Sequence, residues 1–215
     1  MRPVRPPSSL QERKRRLVHA EAATLAAGVL LERGYEECSL DDLAEAAGIS
    51  RRTFFRYFGT KEGVVRTIMD HGGDTLVETF KAQPPGEAPL VSLRRAMVAV
   101  SVSFSRDASL MRRLILLTLR TPVLRAQVLD QLDQWRAQLT QEVARRLRGS
   151  ASCAMLPRLM AAVAMGAMDA AINHWAEHEG LNLSLLVEEA FDSLGQVLGP
   201  ASEAPRAPRR GSRAR

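Results

Sequence analysis

The side chains best suited to a chemical task lie in one short segment of the chain, and they are hydrogen-bond donors rather than catalytic groups. Arg51 and Arg52 are adjacent, Thr53 and Tyr57 carry hydroxyl groups, and Lys61 follows four residues later. Arginine can donate two hydrogen bonds to a guanine edge, whereas hydroxyl and ammonium groups often bind phosphate. The combination favours nucleic acid as the partner. The alternative is a solvated basic face without a ligand.

Two short helices are predicted to hold these side chains. Ser39 can cap the first helix, which ends at Gly48, and Ser50 can cap the second, which runs from Arg51 to about Tyr57. Two short helices joined by a tight glycine turn form a helix-turn-helix, whose second helix enters the major groove of DNA. The small or apolar positions that would pack these helices are Leu43, Ala44, Ala47, Ile49, Phe54 and Phe58.

The remainder of the chain has a helical pattern as well. Apolar residues recur at spacings of three and four, without the sustained alternation of a strand. A first helix is expected over about 10–33, and a fourth from a Thr60 cap to about Lys81. The inner stripe of the first helix would consist of Leu17, Ala20, Thr24, Ala27 and Leu31. After a breaker segment at 84–89, five more helices are expected at about 90–105, 108–119, 122–148, 155–178 and 183–198. The sequence therefore predicts an all-α fold of about nine helices.

These elements predict a small N-terminal domain and a larger C-terminal one. The expected segments are a basic arm (1–9), a helix-turn-helix domain (10–59), a connecting helix (60–81), a larger helical domain (88–199) and a basic tail (200–215). The net charge is +6; residues 1–16 carry +5 and residues 201–215 carry +4, which leaves −3 between them. Basic ends suit a polyanion, although they can also serve solubility alone. Both ends are expected to be disordered, since the tail has no large apolar residue to offset the entropy of ordering.

The run SRRTFFRYFGTKEGVV, with the preceding LAEAAGIS, resembles the tetracycline-repressor family of transcription regulators. The resemblance covers about residues 10–70. It implies phosphate contacts from Ser39, Thr53, Tyr57 and Lys61. It implies base contacts from Arg51, Arg52 and Phe55. Members often have tyrosine where this sequence has Phe55, so we expect this ring to press on a thymine methyl group instead.

A second copy of the chain is the expected cover for one side of the helix at about 155–178. This helix is apolar nearly all round, so both of its sides must be covered. The family resemblance implies that the final two helices of each subunit form a four-helix dimer interface, and a palindromic operator requires a dimer. The expected interface residues are Val163, Ala167, Ala170, Ala171, Val187, Phe191 and Leu194.

A small-molecule cavity is expected inside the larger domain. Adaptable apolar side chains at helical spacing can line such a cavity, or can simply form the core. Asp169 is a charge in an apolar stretch, so it needs a partner in the pocket or across the dimer, unless it lies on the wet edge of its helix. The expected pocket residues are Met97, Phe104, Met111, Leu114, Trp135, Leu139, Met165 and Asp169.

Other kinds of function are not indicated. His174 and His178 share a helix face but lack a third ligand, so no metal is expected. No nucleophile has a plausible base, so neither an enzyme nor a cofactor is expected. No apolar run approaches the roughly 20 residues of a membrane span. Cys38 and Cys153 match no metal spacing, which suits a reducing cytoplasm.

The sequence as a whole predicts a cytoplasmic homodimer that binds double-stranded operator DNA and is released by a small, mainly apolar effector. Two alternatives stay open at this point. One is a helical carrier of lipid or acyl ligands that does not bind DNA. The other is a DNA-binding regulator, repressor or activator, that has no small-molecule ligand.

Overall fold

The computed structural model describes residues 10–148 and 155–198, and the regular structure within these ranges is helical, without a strand. The α-helices are α1 (Leu10–Arg33), α2 (Leu40–Ala46), α3 (Arg51–Phe58), α4 (Lys61–Ala82), α5 (Pro89–Phe104), α6 (Ala108–Arg120), α7 (Pro122–Arg146), α8 (Leu156–Glu177) and α9 (Leu183–Leu198). A short 3₁₀ helix (Ser105–Asp107) joins α5 to α6. The prediction of an all-α fold is confirmed. The expectations for the arm (1–9) and the tail (200–215) concern residues outside the described ranges.

Local sequence explains where several helices begin. Ser39, Ser50 and Thr60 precede α2, α3 and α4 in extended backbone conformations, and each side chain accepts a hydrogen bond from the backbone N–H three residues on. Helices α5 and α7 begin with Pro89 and Pro122, whose fixed φ suits the first helical position. The predicted helix bounds therefore agree with the observed ones to within a few residues.

A first core holds the N-terminal helices together. Leu43 of α2, Phe54 and Phe58 of α3, and Val64 of α4 are buried in it. The residues that α1 contributes are mostly small, namely Ala22, Ala23, Ala26, Ala27 and Leu30. Because alanine has a single methyl group, α2 and α4 can approach the backbone of α1 closely.

The inner stripe expected for α1 is partly wrong. Leu17, Ala20 and Thr24 are exposed, and Leu31 is half-buried, whereas Ala27 is buried as expected. The buried face of α1 is built of alanines instead. The prediction assigned larger apolar residues such as Leu17 to the buried face of α1, but these residues lie on the surface of this chain.

A second core joins α4, α5, α6, α7, α8 and α9. Its large, fully buried side chains include Leu76, Phe80, Leu93, Met97, Leu139 and Leu183. The Arg146 guanidinium donates to the carbonyl oxygens of Phe80 (2.9 Å) and Gln83 (3.0 Å) and to the Ser92 hydroxyl (2.5 Å). These bonds attach the C-terminal end of α4 to α5 and α7.

Three helices contribute to both cores. Helix α4 has 22 residues and is therefore about 33 Å long; it places Val64 in the first core and Leu76 in the second. Helix α6 places Leu114 in the first core and Ile115 in the second. Helix α7 places Leu124 in the first core and Trp135 in the second. A displacement of α4, α6 or α7 in one core therefore also moves side chains that are packed in the other core.

Candidate DNA interface and ligand cavity

Helix α3 presents a basic and aromatic face to solvent. Gly48, at φ +64°, makes the tight turn between α2 and α3, a backbone conformation that residues with a side chain rarely adopt. Buried Phe54 and Phe58 then fix α3 on the first core. The exposed residues of α3 are Arg51, Arg52, Phe55 and Arg56. Phe55 is 66% exposed, so three arginines and an uncovered ring are available together to a groove of DNA.

Arg51 already has a partner within the chain. Its guanidinium lies 3.1 Å from a carboxylate oxygen of Asp41, in the first turn of α2. Both side chains are largely exposed, at 72% and 63%, so water screens the attraction and the pair is weak. DNA must nevertheless replace Asp41 before Arg51 can contact a base. The sequence reading missed this competitor.

Ser39 is fully engaged at the start of α2. Its hydroxyl accepts from the Asp42 backbone N–H (3.1 Å) and donates to the Asp42 carboxylate (2.6 Å), while its own N–H donates to the same carboxylate (2.9 Å). The hydrogen bonds from the Ser39 side chain and backbone lower the pKa of Asp42 below its usual value. A phosphate contact from Ser39 stays a prediction, and it would require the hydroxyl proton to turn away from Asp42.

The other two expected hydroxyl contacts lie on α3. The Ser50 hydroxyl donates to the Thr53 hydroxyl at 3.0 Å, which orients Thr53 at the helix start. Tyr57 is half-buried, and its ring meets His19 of α1 edge-on, with centroids 5.1 Å apart. Both residues are therefore held in place near the exposed face of α3.

Lys61 is half-buried at the start of α4 and has a structural partner that sequence reasoning missed. Its ammonium group donates to the Tyr35 carbonyl oxygen at 2.5 Å and lies 4.3 Å from the centre of the Tyr35 ring. The Tyr35 hydroxyl donates to the Glu62 carboxylate. Burial, followed by this hydrogen bond, raises the pKa of Tyr35 to about 12. Burial would raise the pKa of Glu62, but hydrogen bonds from Thr60 and Tyr35 bring it below its usual value.

A cavity opens among α4, α5, α6, α7 and α8. Its empty space, counted together with the open mouth, is about 860 Å³. The structure brings five of the expected pocket residues to its wall, namely Met97, Phe104, Trp135, Met165 and Asp169. Met69 and Leu76 of α4 and Ile115 of α6 also line it, although the sequence reading did not select them.

Three expected pocket residues lie elsewhere. Met111 and Leu139 are buried in the second core, and Leu114 is buried in the first, so none of them lines the cavity. Helical spacing identifies the inward face of a helix but cannot distinguish a filled core from an open space. The expectation that these three residues contact a ligand is corrected accordingly.

The polar part of the cavity wall comes from three helices. Thr118 belongs to α6, Arg125 to α7, and Asp169 and Asn173 to α8. Asp169 is exposed, so it lies on the wet side of its helix, at the mouth of the cavity. Asn173 follows Asp169 by four residues, and this helical spacing could have identified it from the sequence. No sequence signal pointed to Thr118 or Arg125.

Two glycines of α4 allow aromatic rings to rest on its backbone. A Cβ added to Gly73 would overlap the indole ring of Trp135, and one added to Gly72 would lie 2.9 Å from Cε1 of Phe104. Both rings line the cavity. A molecule that displaces either ring therefore acts directly on α4, the helix that begins at Lys61.

Much of the expected dimer face lies inside the protomer. Ala167 and Ala171 of α8 and Val187 and Phe191 of α9 are buried in the second core of their own protomer, which leaves little of their surface for a second copy. Their role in a dimer interface stays a prediction, and it competes with the packing of α8 on its own domain through these alanines. Val163 and Leu194 are half-buried. The exposed apolar and small residues of α8, termed the outer stripe, are Leu159, Ala162, Gly166 and Ala170; the exposed polar residues of this helix are Arg158, Asp169, His174 and Glu177.

The described residues contain neither a metal site nor a membrane span. His174 and His178 lie close together, with ring centroids 4.3 Å apart, but no group of three or more potential ligands is found in 10–148 and 155–198. No helix in the same ranges is both long enough and apolar enough to cross a membrane.

Family models match both ends of this architecture. Residues 24–68 match the model of bacterial regulatory proteins of the tetR family, and residues 87–199, more than half of the chain, match the MftR C-terminal domain. The chain belongs to the tetR family. The first match contains α2 and α3, and the second contains the helices that carry most of the cavity wall.

Relatives of known type cover nearly the whole chain. MftR of Mycobacterium tuberculosis, a transcriptional regulator assigned to mycofactocin biosynthesis, is 28% identical over 201 residues, which cover 90% of this chain and 97% of MftR. The transcriptional regulator TcmR of Streptomyces glaucescens is 28% identical over 194 residues, 86% of each chain. These relatives are transcriptional regulators, and this tetR-family chain is a helix-turn-helix transcriptional regulator as well.

Solved structures of the family share the fold. The regulator FadR from Bacillus subtilis, in complex with stearoyl-CoA, superposes with a TM-score of 0.61 at 18% identity, covering 83% of this chain and 96% of FadR. The fatty acid degradation regulator FadR from Bacillus halodurans gives 0.62 at 20% identity, covering 86% and 96%. The likeness shows a common arrangement of helices.

Proposed function

We propose that this tetR-family regulator is a homodimeric repressor, which binds a palindromic operator and leaves it when a small, mainly apolar molecule fills the cavity. The observation that carries this proposal is the position of the cavity. Its walls include α4 and α6, and both helices also belong to the core of the helix-turn-helix domain. Operator binding places the protein in the cytoplasm, with the DNA.

Helix α6 provides a short route from the ligand to the DNA-binding helices. Ile115 and Thr118 line the cavity, whereas Leu114 is packed in the first core. The neighbouring Arg113 donates to the Leu31 carbonyl oxygen of α1 at 3.4 Å. A ligand that widens the cavity would displace α6, and α1 with it. The repressor is released if the ligand binds this shifted state more tightly than the DNA-bound one.

The outer stripe of α8 supports dimerisation. Its four residues form an apolar surface beside the charged residues of α8, and a Cβ added to Gly166 would meet nothing within 4 Å beyond its chain neighbours and the nearby backbone of its own helix. Leu185 of α9 is exposed as well. We infer that these surfaces, flanked by Val163 and Leu194, form the interface, since a helix-turn-helix dimer must hold two reading helices about 34 Å apart.

Direct reading of bases is assigned to the exposed face of α3. Arg51, Arg52 and Phe55 would contact base edges, and arginine pairs best with guanine. Phosphate contacts are proposed for Ser39, Thr53, Tyr57 and Lys61. Their positions near α3 and at the starts of α2 and α4 support this assignment.

Two alternatives have less support. A lipid carrier without DNA binding would not need a capped helix that exposes three arginines and a phenylalanine. A regulator without a ligand would not need an open cavity under α4. The structure of FadR holds stearoyl-CoA, so an acyl thioester belongs among the first molecules to test.

The test begins with the operator, which is selected from a random DNA pool by the purified protein. A panel of four compounds, 1-dodecanol, 2-tridecanone, lauric acid and stearoyl-CoA, is then titrated into the complex while fluorescence anisotropy reports DNA release. Trp175→Phe protein leaves Trp135 as the only tryptophan, so its emission reports cavity occupancy.

We expect at least one panel compound to release the DNA and to change Trp135 emission over the same concentration range. Release without an emission change would place the ligand outside this cavity. Failure of all four compounds to bind would argue against ligand control. Absence of any selected DNA sequence would contradict operator binding itself.

A further inference from the structure

Thr118 has an unusual environment for a buried hydroxyl group. Thr118 is 5% exposed. Among the described residues, its Oγ1 is the one buried side-chain nitrogen or oxygen atom that has no hydrogen-bond partner. Leaving a buried hydroxyl unpaired is unfavourable, so such atoms commonly mark a place where a water or a ligand belongs. Thr118 lines the cavity, although its Oγ1 is turned away from the empty space and is closed off from it.

Other helical threonines of this chain behave differently. Thr24, Thr67 and Thr140 each donate to the carbonyl oxygen four residues earlier in the helix, at 3.1, 2.8 and 2.8 Å. This local bond is the usual way for a threonine to satisfy its hydroxyl in a helix. Thr118 lies inside α6, where the same bond to Leu114 would be possible, yet its hydroxyl does not make it.

The surroundings of Thr118 limit what its partner can be. Most of the wall is apolar, including Ile115 and Leu119, which lie close to Thr118 along α6, and Leu132 of α7. The other polar wall residues are Arg125, Asp169 and Asn173, and of these the two charged side chains are exposed and their fields are screened by water. A buried hydrogen bond at Thr118 should therefore discriminate between ligands more strongly than charge does.

We propose that the Thr118 hydroxyl is the specificity-determining anchor of the effector, and that the effector is a lipophile with a carbonyl or hydroxyl oxygen on its apolar body. The oxygen pairs with Oγ1 of Thr118 once this side chain turns toward the empty space, while the apolar body lies against Phe104, Trp135 and Met165. The inference rests on the proposed ligand control and adds the chemistry by which the ligand is chosen. Thr118 also lies one helical turn from Leu114, so the anchored group sits on the helix that reaches the DNA-binding core.

The test compares Thr118→Val with wild type, using the panel compound that binds wild type most tightly by calorimetry. Valine keeps the shape of threonine and removes the hydroxyl. We expect affinity to fall about tenfold, as for one lost hydrogen bond, with an equal shift in the concentration that releases DNA. Thr118→Ser retains a hydroxyl and should restore most of the affinity.

Two controls separate anchoring from a structural role. Thr140→Val removes a half-buried hydroxyl that is bonded within its own helix and does not line the cavity, so ligand affinity should not change. Ligand-free Thr118→Val should melt at the same temperature as wild type or higher, because an unpaired buried hydroxyl is lost. A lower melting temperature would show that the hydroxyl supports the fold, and would overturn the proposal.

The outcomes distinguish this inference from the proposed function. If a panel compound binds wild type and Thr118→Val equally, within twofold, the anchor is disproved while ligand control stands. If no panel compound binds wild type, ligand control itself fails, and the anchor fails with it. A loss in Thr118→Val that Thr118→Ser reverses, with Thr140→Val unaffected, supports both.

Discussion

Arg52 is an exposed side chain in the first turn of α3, the end of a recognition helix that reaches base edges. We expect Arg52→Ala to weaken binding to the selected operator by about 1 to 3 kcal/mol, and to relax the preference at one base pair in each half-site. Binding to unrelated DNA should change far less. Anisotropy titrations with both DNAs provide the measurement, and an equal loss on both would make Arg52 a phosphate contact.

Asp41 acts in the opposite direction, because it holds Arg51 and adds a negative charge close to the DNA. Asp41→Asn should therefore tighten binding to every DNA sequence, by up to about 1 kcal/mol if the exposed pair behaves as such pairs usually do. The gain should shrink as salt is raised. Glu179→Gln removes the same charge from the loop between α8 and α9 and should have no effect. Unchanged or weaker binding by Asp41→Asn would show that Asp41 does not compete for Arg51.

Lys61 has two roles to separate, since its ammonium group is bonded to Tyr35 and is also proposed to meet a phosphate. Lys61→Ala should lower the free energy of unfolding by about 1 kcal/mol, the usual net value of one hydrogen bond. It should also weaken binding to all DNA alike and reduce the salt slope by about one. Lys81→Ala, at the other end of α4, should leave the slope unchanged. A reduced stability with an unaltered slope would leave Lys61 only its structural role.

Predictability from sequence differs among these residues for a physical reason. Ser39 and Ser50 were recognised as caps because a cap depends on neighbours three residues away. The bond from Lys61 to Tyr35 spans 26 residues, so it exists only once the helices are packed. Thr118 could not be predicted from the sequence either, because its distinguishing feature is a hydrogen bond that its hydroxyl lacks in the folded chain.

At the scale of elements, the same glycine-to-alanine change should have opposite effects at two helical positions, because one glycine is packed against an aromatic ring and the other is not. Gly73→Ala should destabilise the protein by about 1 to 3 kcal/mol, because the added methyl group must displace Trp135 from a packed wall. Gly28→Ala in α1 adds the same methyl group where nothing lies within 4 Å, and should stabilise by about 0.5 to 1 kcal/mol. Urea unfolding measures both. A neutral or stabilising Gly73→Ala would show that Trp135 is free to move.

Helix positions were predictable from the sequence, whereas helix faces were less so. The caps and prolines fixed the bounds of α2 to α5 and α7 from local chemistry. The buried face depends on what packs against a helix, and alanine suits both a tight core and an exposed surface. For that reason the prediction placed Leu17, which is exposed, on the inner face of α1, and assigned Ala171, which is buried in its own protomer, to the dimer face of α8.

At the scale of the whole molecule, the dimer decides whether two α3 helices can reach one operator. The outer stripe of α8 and the buried side of the same helix lie one residue apart, at Ala170 and Ala171. An arginine at the exposed position meets solvent in the monomer but a second copy in the dimer. An arginine at the buried position enters the core of its own protomer.

We therefore expect Ala170→Arg to sediment as a monomer with the helicity and melting profile of a folded chain, and to lose tight operator binding, because one half-site no longer supports the other. Ala171→Arg should instead lose about 3 to 5 kcal/mol of stability, since it buries an unpaired charge. Analytical ultracentrifugation at micromolar concentration and circular dichroism separate the two results. A dimeric Ala170→Arg would exclude the outer stripe from the interface, and a folded, monomeric Ala171→Arg would return the interface to the alanines that the sequence first suggested.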